Sequence, residues 1–172
     1  MMTDDLKQDP QIQQYWKAYA RSANLNTIEF MVFAFGDNEE SADTLSELVV
    51  FGPKRATAYL PRDFEAFGQP LPKPGDFSVV VDGRNKPRCI IRTTQVEIKP
   101  LRDVDERFAW DEGEGDRSLE GWMSGHIQYF KRQGAREGFS VDDSIEVVLE
   151  RFEVVWPPES VDARSQTATW TI

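Results

Sequence analysis

Three kinds of side chain in this sequence can move a proton or attack a carbonyl in concert, namely Lys, Thr and carboxylate. Lys54 and Thr57 stand three residues apart in Pro53-Lys54-Arg55-Ala56-Thr57-Ala58-Tyr59-Leu60, and the acidic run Asp111-Glu112-Gly113-Glu114-Gly115-Asp116 follows downstream. A desolvated Lys can take the proton of a Thr hydroxyl, while a nearby carboxylate holds the Lys or passes the proton on. Lys-x-x-Thr is too common a spacing to carry weight by itself. The acidic run has two readings. Its oxygens can ligate Mg²⁺ or Ca²⁺, although it lacks the alternating Asp spacing of a calcium loop. Alternatively Glu114 and Asp116 cap the helix that follows, a reading that covers Glu112 less well.

The rest of the composition removes much other chemistry. One His and one Cys exclude Cys/His zinc sites, Cys-His nucleophile pairs and multi-His metal sites. No P-loop or dinucleotide-binding glycine fingerprint follows any strand. His126 sits beside Met123 and Phe130 on an apolar helical stripe and reads as a packed, structural histidine. A formal net charge of −10 repels polyanions at long range, so extensive nonspecific DNA binding is not expected and any RNA contact must be local. Lys54, Arg55, Arg62, Arg84, Lys86, Arg88 and Arg92 read as solvated surface charges. No run of about 18 apolar residues is present, and the first residues are polar and acidic, so neither a membrane span nor a signal peptide is expected. Cys89 alone cannot form an internal disulfide, which fits a reducing cytoplasm.

These residues need elements to position them. At 172 residues, with 40% hydrophobic and 12% aromatic residues, the chain has the size and core material of one domain. A helix opens at Asp9-Pro10, carries Ile12, Tyr15, Trp16 and Tyr19 at helical spacing, and stops at Asn24. Residues 30–35 read as extended. Asp37 with Glu40 has capping-box spacing for a second helix, whose face is Ala42, Leu45, Leu48 and Val49. Lys54 and Thr57 therefore sit where a helix hands over to a strand, a common place for sites. A loop over 68–75 leads to strands over 77–81 and 89–96, joined by Asp82-Gly83-Arg84-Asn85. A short helix over 103–109 precedes the acidic run. A long helix then starts near Asp116 or Ser118, with Leu119, Trp122, Met123, His126, Ile127 and Phe130 on one stripe. A strand over 145–156 ends at Pro157-Pro158, and 167–172 reads as an edge strand or as part of a tail. The class is α+β, and a small, partly closed barrel flanked by helices accommodates it.

Several separated motifs carry a resemblance. Phe35-Gly36-Asp37, Ala42-Asp43, Gly52-x-Lys54-x-Ala56-Thr57, Leu71-Pro72-x-x-Gly75-Asp76, Phe108-Ala109-x-x-Glu112-Gly113-Glu114-Gly115-Asp116 and Leu119-x-x-Trp122, in this order, resemble the bacterial ASCH-domain family over about 33–156. The match is to its longer subgroup with the Glu-Gly-Glu-Gly-Asp motif. The resemblance implies a PUA-like small β-barrel flanked by helices, in a superfamily associated with RNA. It also implies an N-terminal helical extension over 1–26, the ASCH domain over 27–157 and a C-terminal tail or edge strand over 158–172.

Small members of the family include amidohydrolases that remove the acetyl group of N4-acetylcytidine. The resemblance implies Thr57 as nucleophile, Lys54 as its general base and Glu112 as general acid/base or Lys partner, with Arg55, Tyr59, Glu114 and Asp116 binding the ligand. It implies no metal ligand and no cofactor, a divalent cation entering only in a ribonuclease. Ribonuclease relatives carry a Tyr shortly before the Lys that has no counterpart in 46–51. The remaining reading is a noncatalytic RNA- or nucleotide-binding module using Tyr59, Phe64 and Phe67 for stacking. The partner expected is a modified nucleoside or RNA. Lys54, Thr57 and Glu112 are expected to converge, and Lys54, beside Pro53, has no evident packing duty beyond covering helix carbonyls.

Overall fold

A computed structural model describes residues 4–26, 29–66 and 68–160. Phe67 and the edge strand expected over 167–172 lie outside the described residues. The chain divides into two compact units, one of Met1–Gly52, Lys73–Thr94 and Phe152–Ile172, the other of Pro53–Pro72 and Gln95–Arg151.

In the first unit, helix α1 (Pro10–Ser22) starts as its sequence dictates. Asp9 accepts from the amides of Gln11 and Ile12 at 2.7 and 3.4 Å, and Pro10 occupies the first turn, where no amide is needed. Ile12, Trp16 and Tyr19 form the buried stripe, and Trp16 stacks on Phe30 at 4.7 Å between centroids. Strand β1 (Phe30–Phe33) runs parallel to β3 (Phe77–Val81), while β3 pairs antiparallel with β4 (Pro87–Pro100) across the expected turn. All five residues of β3 are buried, as in a strand covered on both faces. Helix α2 (Glu39–Val50) is capped one residue later than expected. Asn38 Oδ1 accepts from Ser41 N at 2.9 Å, and Ser41 Oγ in turn accepts from Asn38 N at 3.2 Å, which completes the reciprocal pair of the capping box.

The second unit holds the candidate site. Strand β2 (Ala56–Tyr59) pairs antiparallel with β5 (Glu146–Trp156), from Ala56 opposite Arg151 to Tyr59 opposite Val148. A short helix α3 (Pro61–Glu65), which the sequence reading passed over, follows β2 directly. Asp105 caps helix α4 (Glu106–Glu112) through Phe108 N at 2.8 Å. Ser118 caps the long helix α5 (Leu119–Glu137) through Gly121 N at 3.0 Å. Ala56, Leu60, Leu101, Phe108, Trp122 and Phe130 are among the residues of this unit's core.

The five strands form one sheet in the order β1-β3-β4-β5-β2, with β1 and β2 at its ends, so the α+β class holds and the sheet is not closed. Among the described residues no helix is long and apolar enough to cross a membrane.

Phe130 is fully buried whereas Phe51 is 81% exposed. Phe130→Ala is expected to cost about 3–5 kcal/mol in urea denaturation, and Phe51→Ala less than about 0.5 kcal/mol. Equal losses in the two variants contradict this assignment of the core.

Candidate functional site

The backbone brings Lys54 beneath the end of α4. Arg55 N donates to Asp111 O at 2.8 Å, tying the segment before β2 to the last turn of that helix. Gly113 then ends α4 in the left-handed region at φ 73°. A Cβ on Gly113 would stand 2.7 Å from both Lys54 N and Pro53 C, so backbone meets backbone here and only glycine fits. The first glycine of the acidic run thus has a steric reason. On the far side of the turn, Arg117 donates to Trp110 O through Nε at 2.9 Å and Nη2 at 2.7 Å. Its guanidinium lies 3.7 Å from the Trp110 ring centroid, so Arg117 covers a terminal carbonyl of α4 and clasps the turn.

Four charged side chains meet inside this frame. Lys54 and Glu112 are each 1% exposed, with Lys54 Nζ 3.7 Å from Glu112 Oε1. Lys54 Nζ also donates to Glu114 Oε1. Glu112 Oε2 accepts from Trp122 Nε1 and lies 3.3 Å from His126 Nε2. His126 Nδ1 in turn lies 3.0 Å from Trp122 O, and the two rings stack with centroids 3.9 Å apart. Both ring nitrogens of His126 therefore face oxygens that only accept, which suits the doubly protonated ring.

The electrostatics follow from this order. Burial pushes the Glu112 carboxyl up, but the His126 and Lys54 charges, with the hydrogen bonds from His126 and Trp122, outweigh it and hold it well below the usual carboxylate range. For His126, burial pushes down, while the Glu112 charge and hydrogen bond, the Trp122 carbonyl and the Glu114 charge raise it above its ordinary value.

Of the expected trio, Lys54 and Glu112 are brought together. Thr57 is 8% exposed and opposite Glu150 in the β2–β5 ladder. Ala56 and Ala58 belong to the core beneath α4 and α5, so strand alternation puts Thr57 and Tyr59 on the other face of β2. Tyr59 OH donates to Glu150 Oε2 at 2.5 Å, and burial, then the Glu150 charge, pushes the Tyr59 hydroxyl far above its ordinary value. Arg55 Nη1 donates to Lys54 O at 2.6 Å. Asp116 Oδ1 accepts from Ser118 N at 2.9 Å and Ser118 Oγ at 2.7 Å, which serves the start of α5. Glu114 is the second carboxylate on Lys54.

Two expectations need correction. Lys54 is neither a surface charge nor without a packing duty, because its side chain is enclosed and its charge is met by two carboxylates. His126 is packed as expected, but it is also paired with Glu112. Residues the sequence reading missed are His126 as a member of this cluster, and Glu150. The i, i+4 pairing of Trp122 with His126 was visible in the stripe, whereas the carboxylate that both address comes from another helix. Among the described residues no group of three or more His, Cys, Asp or Glu side chains is arranged to hold a metal ion.

Residues 31–156 match the family model described as the ASCH domain. The crystal structure of an ASCH domain from Lactobacillus crispatus JV V101 is similar at 32% identity and a TM-score of 0.77, over 84% of this chain and 94% of that one. The crystal structure of protein EF3133 from Enterococcus faecalis V583 is similar at 29% identity and a TM-score of 0.77, over 94% of this chain and 97% of that one. The fold they share with this chain is PUA-like. A search of curated proteins found no match.

Gly113→Ala tests the close crossing. It meets both the left-handed cost of about 1–2 kcal/mol and the clash with Lys54 and Pro53. Gly115→Ala, at φ 53° with nothing within 4 Å of its Cβ, meets the first alone. Thermal melting is expected to show a clearly larger fall in Tm for Gly113→Ala, and equal falls contradict the crossing.

Proposed function

The chain belongs to the ASCH-domain family, and from that membership we propose that it is a small hydrolase acting on the amide of an N-acylated nucleoside such as N4-acetylcytidine. The observation that supports this reading is the meeting of Lys54 with Glu112, 3.7 Å apart and both buried. A Lys held among carboxylates in an enclosed site is a recurrent arrangement for proton transfer.

In this reading Lys54 in its neutral form takes the proton of the Thr57 hydroxyl, and the ionised Glu112 holds the ammonium that results. The Thr57 oxygen attacks the acyl carbon, forming a C–O bond. Collapse of the tetrahedral intermediate breaks the C–N bond, and the amine leaves with the proton returned through Lys54. Water then hydrolyses the acyl-Thr57 ester and restores the hydroxyl. The transfer requires Lys54 and Thr57 to come within about 3 Å of each other or to share one water when substrate is bound. Arg55 and Tyr59, on either side of Thr57, are the ligand contacts in this reading. A reducing cytoplasm, where modified nucleosides arise from RNA turnover, is the setting that suits it.

A second reading, a noncatalytic RNA-binding module, is favoured by one feature. Trp110 is 57% exposed and carries the Arg117 guanidinium on its ring, a combination suited to stacking on an unpaired base.

Purified protein incubated with N4-acetylcytidine, other N-acylated nucleosides and a structured RNA, with and without Mg²⁺, separates these readings and a metal-assisted ribonuclease. The hydrolase reading expects release of acetate, its loss in Thr57→Val with a Tm change of a few degrees at most, and its loss in Lys54→Arg, since Arg cannot give up its proton. Because Lys54 is buried, its variants are assayed well below their own Tm. Full turnover by Thr57→Val rules out Thr57 as nucleophile. No turnover by the unmodified protein, together with RNA binding weakened by Trp110→Ala, puts the binding module in its place.

A further inference from the structure

His126 is the only histidine of the chain, and its contacts exceed what packing needs. Its ring plane is set by Trp122, stacked at 3.9 Å, and by Phe130, tilted at 5.8 Å. An apolar ring would satisfy both neighbours equally well. What an apolar ring could not do is address Glu112 Oε2 from Nε2 at 3.3 Å while Nδ1 faces Trp122 O at 3.0 Å.

We propose that His126 is a positioning residue: as an imidazolium it donates to Trp122 O and Glu112 Oε2, and so fixes the Glu112 carboxylate with Oε1 turned toward Lys54. The acceptors on both ring nitrogens carry the argument. The groups facing His126 are Glu112 from α4, Glu114 from the turn after it and, beyond Glu112, Lys54 from the segment before β2. On its own helix its neighbours are the neutral Trp122 and Phe130. With His126 charged, two cations meet two carboxylates. With His126 neutral, one ring nitrogen sets a lone pair against an oxygen that only accepts, Trp122 O or Glu112 Oε2, which is costly where water is excluded, whereas Glu114, 35% exposed, is also met by water.

The inference deepens the proposed function, since it rests on Lys54 and Glu112 being the working pair. Its pH sign is fixed. The His126 value is raised, so its contribution is complete below the ordinary 6.5 and is lost as pH rises through the value in the folded protein. The Glu112 orientation, and with it the environment of the Lys54 amine, should change over that same interval.

A lone histidine makes the test direct, because its imidazole resonances need no assignment. NMR titration of the protein without substrate is expected to give a His126 midpoint above 6.5, moved down in Glu112→Gln. The Lys54 ¹³Cε resonance, assigned by its loss in Lys54→Met, is expected to shift with the same midpoint, a response that a histidine serving packing alone does not produce. On substrate, kcat is expected to fall at high pH with that midpoint. In His126→Gln the fall should vanish and kcat should be about 10-fold or more lower, with KM little changed. A His126 midpoint at or below 6.5, or a Lys54 resonance indifferent to it, overturns the proposal. If the titrations behave as expected but no acylated nucleoside is turned over, the hydrolase reading fails and the positioning of Glu112 stands.

Discussion

A lysine ammonium with 1% exposure is the constraint on which the site depends. Removing it from water costs several kcal/mol unless opposite charge and hydrogen bonds replace the solvent. Glu112 and Glu114 supply the charge, and each must be brought to Lys54 from the other side of a turn. That turn is possible only because Gly113 takes the left-handed conformation and lets the backbone lie against Pro53 and Lys54. Glu112 is itself enclosed and needs partners beyond Lys54, which Trp122 and His126 provide from one face of α5. Helix α5 therefore has two duties along one stripe, with Phe130 in the apolar core and Trp122 and His126 on the carboxylate.

Such a cluster is weak evidence for stability. An enclosed ion pair is often no more stabilising than well-packed apolar residues of the same volume, whereas loss of one member is severe. Glu112 pushed down and His126 pushed up is what their mutual pairing produces, each holding the other in its charged form. The same shifts bound the working range. The Glu112 contribution is complete above the ordinary carboxylate value of 4.5 and is lost as pH falls through its depressed one, and the His126 contribution is complete below 6.5 and is lost as pH rises through its raised one.

Much of the fold was legible because local chemistry and packing agree. Asp9-Pro10, the turn at Asp82 to Asn85 and the stripe from Leu119 to Phe130 each do what their residue types allow best. The misses have specific causes. Asp37 and Asn38 are adjacent cap-forming residues, and only the reciprocal bond with Ser41 decides between them. Helix α3 spans five residues, too few for any periodicity to register. At the site, Lys54 and Glu112 were legible through family resemblance, but the burial of Lys54 was not, since Pro53-Lys54-Arg55 is locally indistinguishable from a surface loop. Glu150 was missed because its polar partner, Tyr59, lies on another strand and the register between them cannot be read from either alone.

The central claim is that Lys54 and Glu112 are energetically one unit rather than two buried charges. A double-mutant cycle with Lys54→Met, Glu112→Gln and the pair, measured by urea denaturation at pH 7, tests it most directly. The account predicts that the double variant is more stable than the sum of the single losses implies, by about 1 kcal/mol or more. Losses that add to within about 0.5 kcal/mol would contradict it.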